Sequence, residues 1–142
     1  PKVHDNELDF SFSGLKTAVI NTIHNAKQKG EEIKIADLGA SFQKAVVSFL
    51  CDNTEKAVKK YNMKKIVVAG GVSANSVLRK RMKELCEKNN WELFFPELSL
   101  CGDNAAMVGA QTYYEYLSGN RASLSLNAYA TMPIEKNPPD CV

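Results

Sequence analysis

A short apolar run that ends in two glycines constrains the fold of this chain more than any other feature. Residues 65–71 read Lys-Ile-Val-Val-Ala-Gly-Gly, and the first five predict a strand covered on both faces, as in a parallel sheet. A helical pattern follows over residues 73–88, and a second short strand over residues 91–95 is stopped by Pro96. Strand, helix and strand in this order predict a βαβ unit. The helix is expected to turn four side chains inward: Val77, Leu78, Met82 and Leu85.

Hydrophobic periodicity predicts further elements on either side of this unit. They are a half-buried strand over residues 9–13, helices over residues 15–29 and 35–61, and a helix over residues 103–117. Gly39 falls inside the second helix, where close packing against a neighbour is the preferred explanation. The fold class expected is α/β, with several helices on a small sheet. We expect one lobe over residues 1–118 and an irregular tail over residues 119–142, whose Asn137-Pro138-Pro139 reads as an extended end.

Composition excludes some classes of function. No apolar run reaches the roughly 18 residues that a membrane span needs, and the polar opening segment, residues 1–9, does not read as a targeting peptide. The four cysteines form no Cys-x-x-Cys pair, which argues against a zinc knot or a disulfide framework and favours a reducing, cytoplasmic setting. Two of them lie on helical apolar patterns and are interpreted as buried, inert thiols: Cys51 and Cys86.

The net charge is only +2, so the totals permit nucleic-acid binding without indicating it. The densest basic stretch lies on the predicted helix over residues 73–88 and consists of Arg79, Lys80, Arg81 and Lys83. We interpret this stretch as a solvated helix face.

The first joint that can carry chemistry lies between the predicted strand and the helix that follows it. Gly70 and Gly71 place bare backbone and free helix amides where a ligand can approach, and a Cβ there would block a close approach or a positive φ angle. Ser73 is the expected N-cap. Asn75, in the first helical turn, carries an amide that can both donate to and accept from a ribose hydroxyl or an acyl group. A plain strand-to-helix turn is the alternative explanation.

The second joint precedes the last predicted helix and contains Asp103. This carboxylate either caps the helix or interacts favourably with its dipole, or it serves as a ligand for a hard or borderline metal. The two histidines, His4 and His24, are not spaced as metal ligands, so any partners of Asp103 must come from elsewhere. A P-loop and a nucleophile elbow are both missing from the sequence.

Four segments together resemble the C-terminal half of the tRNA adenosine threonylcarbamoyltransferase family, once called O-sialoglycoprotein endopeptidases. They are residues 9–18 (Asp-Phe-Ser-Phe-Ser-Gly-Leu-Lys-Thr-Ala), 40–46 (Ala-Ser-Phe-Gln-Lys-Ala-Val), 70–75 (Gly-Gly-Val-Ser-Ala-Asn) and 103–107 (Asp-Asn-Ala-Ala-Met). Gly102 departs from the threonine that family members often carry there.

The resemblance implies the C-terminal lobe of an actin-like, sugar-kinase and Hsp70-type ATPase fold, with a small sheet flanked by helices. It implies transfer of threonylcarbamoyl from threonylcarbamoyl-adenylate to N6 of the adenosine 3′ to the anticodon in ANN-decoding tRNAs. Gly70 and Gly71 would form the loop beneath the adenylate, and Asn75 would contact it. Asp103 would be one ligand of iron or zinc, with two histidines supplied by an N-terminal lobe.

The same resemblance implies partners: tRNA, a paralogous dimer partner and a small ATPase of the bacterial modification complex. The basic stretch would then lie near tRNA. The isolated lobe is expected to be inactive. Two alternatives remain open, a non-catalytic scaffold paralogue and another ATP-binding carbamoyltransferase or kinase of the same fold.

Overall fold

The computed structural model describes residues 8–128 and residue 130, and these form two compact units that divide between Cys101 and Gly102. The predicted extended end at residues 137–139 lies outside the described residues, as does His4. The sequence predicted a different boundary, between a lobe that ends at residue 118 and a tail that begins at residue 119. That boundary stays a prediction.

The first unit begins with two long helices, α1 (Phe12–Lys29) and α2 (Ile35–Lys60). Helix α1 ends at Gly30, whose φ of 69° is left-handed and whose N–H donates to the carbonyls of Ala26 and Lys27. Both predicted helices are therefore confirmed, although α1 starts three residues earlier than residue 15. The close-packing explanation for Gly39 is wrong, because a Cβ built there meets nothing within 4 Å among the described residues.

The predicted strand over residues 9–13 is wrong, because α1 already begins at Phe12 and the residues just before it pair with no strand. The alternating aromatic residues instead pack against α2: the rings of Phe10 and Phe12 lie 5.5 and 6.3 Å from that of Phe49. Asn53, buried on α2, fixes the same segment by donating to the carbonyl of Asp9 at 3.1 Å. Aromatic contacts with α2, rather than sheet pairing, thus explain the alternation, although Phe10 and Phe12 stay 45% and 46% exposed.

The βαβ unit is confirmed, with shorter strands than predicted. It consists of β1 (Lys65–Val67), α3 (Ser76–Asn89) and β2 (Glu92–Phe94), and the two strands pair in parallel with Ile66 opposite Leu93. Ile66 packs against Val58 of α2 and Cys86 of α3. The next side chain along the strand, Val67, points to the opposite face and is 73% exposed. The prediction that β1 is covered on both faces is therefore wrong.

Helix α3 packs on α2 and so fixes the position of the turn before it. Val47 and Cys51 of α2 form one buried cluster with Leu78, Met82 and Leu85 of α3. Three of the four side chains predicted to face inward are thus confirmed. The prediction that Val77 faces inward is wrong, since Val77 is 41% exposed.

The second unit contains α4 (Ala105–Leu117), which confirms the last predicted helix with a start two residues later. None of its residues is buried, although it carries large apolar side chains such as Met107, Tyr114 and Leu117. No helix in the described part of the chain is long and apolar enough to cross a membrane. The α/β class expected from the sequence is confirmed.

Candidate functional site

The turn between β1 and α3 is a single 3-10 turn, Gly71–Ala74, closed by hydrogen bonds from Ser73 N to Gly70 O and from Asn75 N to Val72 O. Gly70 has a φ of 91° and a ψ of 169°, a conformation that only glycine adopts readily. Gly71 has no positive φ, and a Cβ built on it meets nothing within 4 Å. The backbone therefore requires glycine at position 70 and not at position 71.

Asn75, rather than Ser73, is the N-cap of α3, which corrects both sequence predictions about these residues. Its Oδ1 accepts a hydrogen bond from Leu78 N at 2.9 Å, and its Nδ2 donates to Gln43 Oε1 of α2 at 3.3 Å. Ser73 is instead 1% exposed, and its hydroxyl makes no hydrogen bond within the described residues. Asn75 thus links the turn, the start of α3 and the side of α2.

A cavity of about 680 Å³ opens beside Asn75 within the first unit. Its walls come from α1, α2, the turn and the start of α3, and are largely apolar. Phe12, Phe42 and Val72 are among the apolar residues, and Gln43 and Asn75 are the polar side chains. Pockets of this size with few polar groups suit a flat organic ligand whose orientation those groups set. Sequence reasoning missed Gln43 and the cavity. The available signals were the presence of Gln43 in the segment 40–46, one of the four that resemble the family, and a polar residue beside Phe42 on the apolar side of α2.

The Arg79 side chain contacts both the turn and the residues that follow β2. Its Nε donates to Ser73 O at 2.6 Å, its Nη2 donates to Pro96 O at 2.8 Å and lies 3.2 Å from the buried Cys101 Sγ, and its guanidinium lies 4.6 Å from the Phe95 ring centroid. The solvated-face interpretation of the basic stretch is therefore wrong for this residue.

The other three cations of the stretch are exposed, as that interpretation predicted. Arg81 and Lys83 make only long surface ion pairs, at 3.7 Å to Glu84 and 3.9 Å to Glu87. Such pairs contribute little to stability.

Asp103 lies in the second unit, whereas Gly70, Gly71 and Asn75 lie in the first. It does not cap α4, because Asn104 does so: Asn104 Oδ1 accepts from Met107 N at 2.9 Å, and its Nδ2 donates to Gly102 O at 3.0 Å. The capping explanation for Asp103 is wrong, and its exposed carboxylate is not committed to the helix end.

A complete metal centre is not formed by the described residues, because residues 8–128 and 130 bring together no group of three His, Cys, Asp or Glu side chains. His24 is exposed on α1. A single carboxylate can fill one coordination position of a hard or borderline cation, so Asp103 by itself does not form a metal site.

The cysteines of the core are unsuited to nucleophilic chemistry. Burial raises the pKa of Cys51 to about 11, and burial likewise raises the pKa of Cys86. A thiol that stays protonated at neutral pH is a poor nucleophile. The interpretation of both residues as inert core thiols is confirmed.

Comparison with known proteins gives one consistent description. The family model described as "TsaD: tRNA N6-adenosine threonylcarbamoyltransferase" matches residues 1–110, a range that includes the turn and Asp103. Proteins with that name include one from Clostridium kluyveri that is 52% identical over 132 residues, and one from Moorella thermoacetica that is 49% identical over 132 residues. A third, from Clostridium botulinum strain 657, is 50% identical over 131 residues.

These alignments cover 92%, 93% and 92% of the chain but only 39%, 39% and 38% of the respective relatives. The chain therefore spans about two fifths of the length of the relatives that it matches.

Proposed function

Because the chain belongs to the TsaD family of tRNA N6-adenosine threonylcarbamoyltransferases, we propose that it forms the C-terminal lobe of an enzyme that modifies tRNA. The reaction is transfer of threonylcarbamoyl from threonylcarbamoyl-adenylate to N6 of the adenosine 3′ to the anticodon in ANN-decoding tRNAs. The observation that carries the proposal is the family match over residues 1–110, which includes the turn residues Gly70, Gly71 and Asn75 as well as Asp103. The lobe belongs to an actin-like ATPase fold, and alone it is inactive.

The adenylate is bound at the turn of Gly70, Gly71 and Asn75. Three features support this assignment: the backbone conformation at Gly70, the absence of any neighbour around Gly71 within the described residues, and the cavity beside Asn75. Backbone without side chains lets a phosphate or ribose approach closely, and a largely apolar cavity accepts a flat ring. The glycine at position 71, which the backbone itself does not require, is explained by this approach of ligand.

Asp103 provides one ligand of a divalent iron or zinc ion, and two histidines from the remainder of the full-length protein complete the site. Its carboxylate is a suitable ligand for such an ion. Asn104, and not Asp103, caps α4. The described residues alone do not form the centre, so the ion binds only in the complete enzyme. When bound, it polarises the threonylcarbamoyl carbonyl.

The residues of this chain act mainly by orientation. In the reaction the amine nitrogen of adenosine bonds to the carbonyl carbon of the threonylcarbamoyl group and gives up one proton to solvent, and the bond from that carbon to the adenylate oxygen breaks, which releases AMP. The turn and the Asn75 amide hold the adenylate so that the carbonyl stays within reach of the incoming nitrogen. Positioning of this kind supplies a large part of the rate in acyl transfer.

Family membership supports tRNA as a partner. We extend the proposal to a paralogous dimer partner and a small ATPase of the bacterial complex, in the cytoplasm and without a membrane partner. The exposed part of the basic stretch, Lys80, Arg81 and Lys83, faces solvent and is available to a phosphate backbone. Arg79 is excluded from that role by its internal contacts.

The test is modification of purified tRNA by the full-length parent, supplied with threonylcarbamoyl-adenylate and its bacterial partners. We expect transfer to an ANN-decoding tRNA, none to a tRNA that lacks an adenosine 3′ to the anticodon, and none by the 142-residue chain alone. A parent that leaves the ANN-decoding tRNA unmodified would sink the proposed function, and activity of the isolated chain would show that the lobe is complete.

A further inference from the structure

The orientation of the Asn75 carboxamide is fixed by its partners. Leu78 N is a donor, so the atom that faces it at 2.9 Å must be the amide oxygen. The amide nitrogen is then the atom that faces Gln43 at 3.3 Å, and Gln43 must present its own oxygen as the acceptor. Two contacts therefore determine which end of the Asn75 amide points in which direction.

Once these two hydrogen bonds are made, the Asn75 amide has few donors and acceptors left for a ligand. Its oxygen already accepts a hydrogen bond from Leu78 N in the first turn of α3, and turning it away would uncap that helix. Its nitrogen carries a second N–H, which Gln43 does not use. Because Asn75 lines the cavity beside the turn, this N–H is the hydrogen-bond donor that it can offer to a ligand, beside the remaining lone pair of its oxygen.

Gln43 is the residue that fixes the orientation of the Asn75 amide nitrogen. It lies on α2, 32 residues earlier in the chain, among the apolar side chains that form the cavity wall. An apolar side chain at this position would fill the same wall and leave the Asn75 nitrogen without its partner.

We propose that Gln43 is a positioning residue, which holds the Asn75 carboxamide so that its free N–H donates to an acceptor oxygen of the bound acyl-adenylate. This inference rests on the proposed function, because it assigns a donor role to Asn75 within the adenylate site. Gln43 also lines the cavity, but the role assigned to it here is exerted through Asn75.

The test is a double-mutant cycle in the full-length parent, using Gln43→Leu, Asn75→Ala and the double variant. The measured quantity is the Kd for a non-transferable analogue of threonylcarbamoyl-adenylate. Leucine suits the apolar wall, so Gln43→Leu is expected to fold normally, with an unchanged urea midpoint as the check. We expect it to weaken binding about tenfold, the equivalent of one hydrogen bond. The double variant binds no more weakly than Asn75→Ala alone.

A fourth variant tests the donor role directly. Asn75→Asp keeps an oxygen that caps α3 but loses the N–H, so it should retain the urea midpoint that Asn75→Ala lowers and still lose affinity for the analogue by about tenfold or more. Unchanged affinity in Asn75→Asp would overturn the donor assignment.

The outcomes separate this inference from the proposed function. If the wild-type parent does not bind the analogue, the proposed function fails and the inference fails with it. If it binds and the losses from Gln43→Leu and Asn75→Ala multiply in the double variant, Gln43 acts independently of Asn75, and only the inference is overturned. Full affinity in Gln43→Leu overturns it as well.

Discussion

Arg79 should be the most stabilising cation of α3, although the sequence presents it as one of four equivalent basic residues. Its guanidinium donates to the carbonyls of Ser73 and Pro96 and stacks on Phe95, which joins the turn before α3 to the loop after β2. The proposed perturbation is Arg79→Met, which keeps the apolar stem and removes the charged head. Arg81→Met on the same helix is the matched control.

The magnitude follows from the contacts. Hydrogen bonds from a charged donor contribute about 1.5 to 3 kcal/mol each, and a cation–π contact adds about 0.5 to 1 kcal/mol. Because the side chain is only partly buried, we take the lower ends of these ranges for the two hydrogen bonds and the cation–π contact, and expect Arg79→Met to reduce the free energy of unfolding by about 3.5 kcal/mol. Arg79→Lys reaches one carbonyl at a time and should cost about 1.5 kcal/mol.

The assay is urea unfolding, with free energies from linear extrapolation. Arg81→Met should change the free energy of unfolding by less than about 0.5 kcal/mol, because its ion pair with Glu84 is long and exposed. If Arg79→Met and Arg81→Met lose the same amount, Arg79 does not hold the turn and the description of the site's support is wrong.

Three further predictions concern the turn and the core. Ser73→Ala should raise the free energy of unfolding by about 1 kcal/mol in urea titrations, because it removes a buried hydroxyl without a partner; destabilisation would reveal a bond that the described residues do not provide. Gly70→Ala should cost about 2 kcal/mol from backbone strain, whereas Gly71→Ala should stay within about 0.5 kcal/mol and yet weaken adenylate binding, as measured by calorimetry; equal losses of stability at the two positions would contradict the assignment. Burial raises the pKa of Cys51 to about 11, so the unfolded thiol loses its proton first and stability should fall as pH rises from about 8.5 to about 11. Unfolding midpoints across that range should decline less steeply in Cys51→Ala than in the wild-type chain, and identical slopes would rule out this contribution.

The elements that the sequence predicted well depend on local pattern. The helices α1, α2 and α4 follow apolar spacing and the stop at Gly30, and the βαβ unit follows the apolar run before Gly70. The alternation of Phe10 and Phe12 led to a wrong strand prediction, because a segment whose aromatic rings contact a neighbouring helix can show the same period as a strand.

The features that the sequence could not provide depend on contacts between distant residues. Ser73 and Asn75 are both good N-caps, and the choice between them was made by the 3-10 turn that precedes α3. Gln43 reaches Asn75 only because α2 packs on α3, and Arg79 turns inward only because two carbonyls and Phe95 surround it. None of these is encoded by spacing along the chain.

The most direct test of the central claim is threonylcarbamoyl transfer by the full-length parent carrying Asp103→Ala, measured beside Asp52→Ala, which removes an exposed carboxylate of α2. We expect Asp103→Ala to lose about a hundredfold or more of the transfer rate together with bound iron or zinc, while Asp52→Ala retains both. Full transfer by the Asp103→Ala enzyme would contradict the claim that this lobe contributes a metal ligand to the reaction.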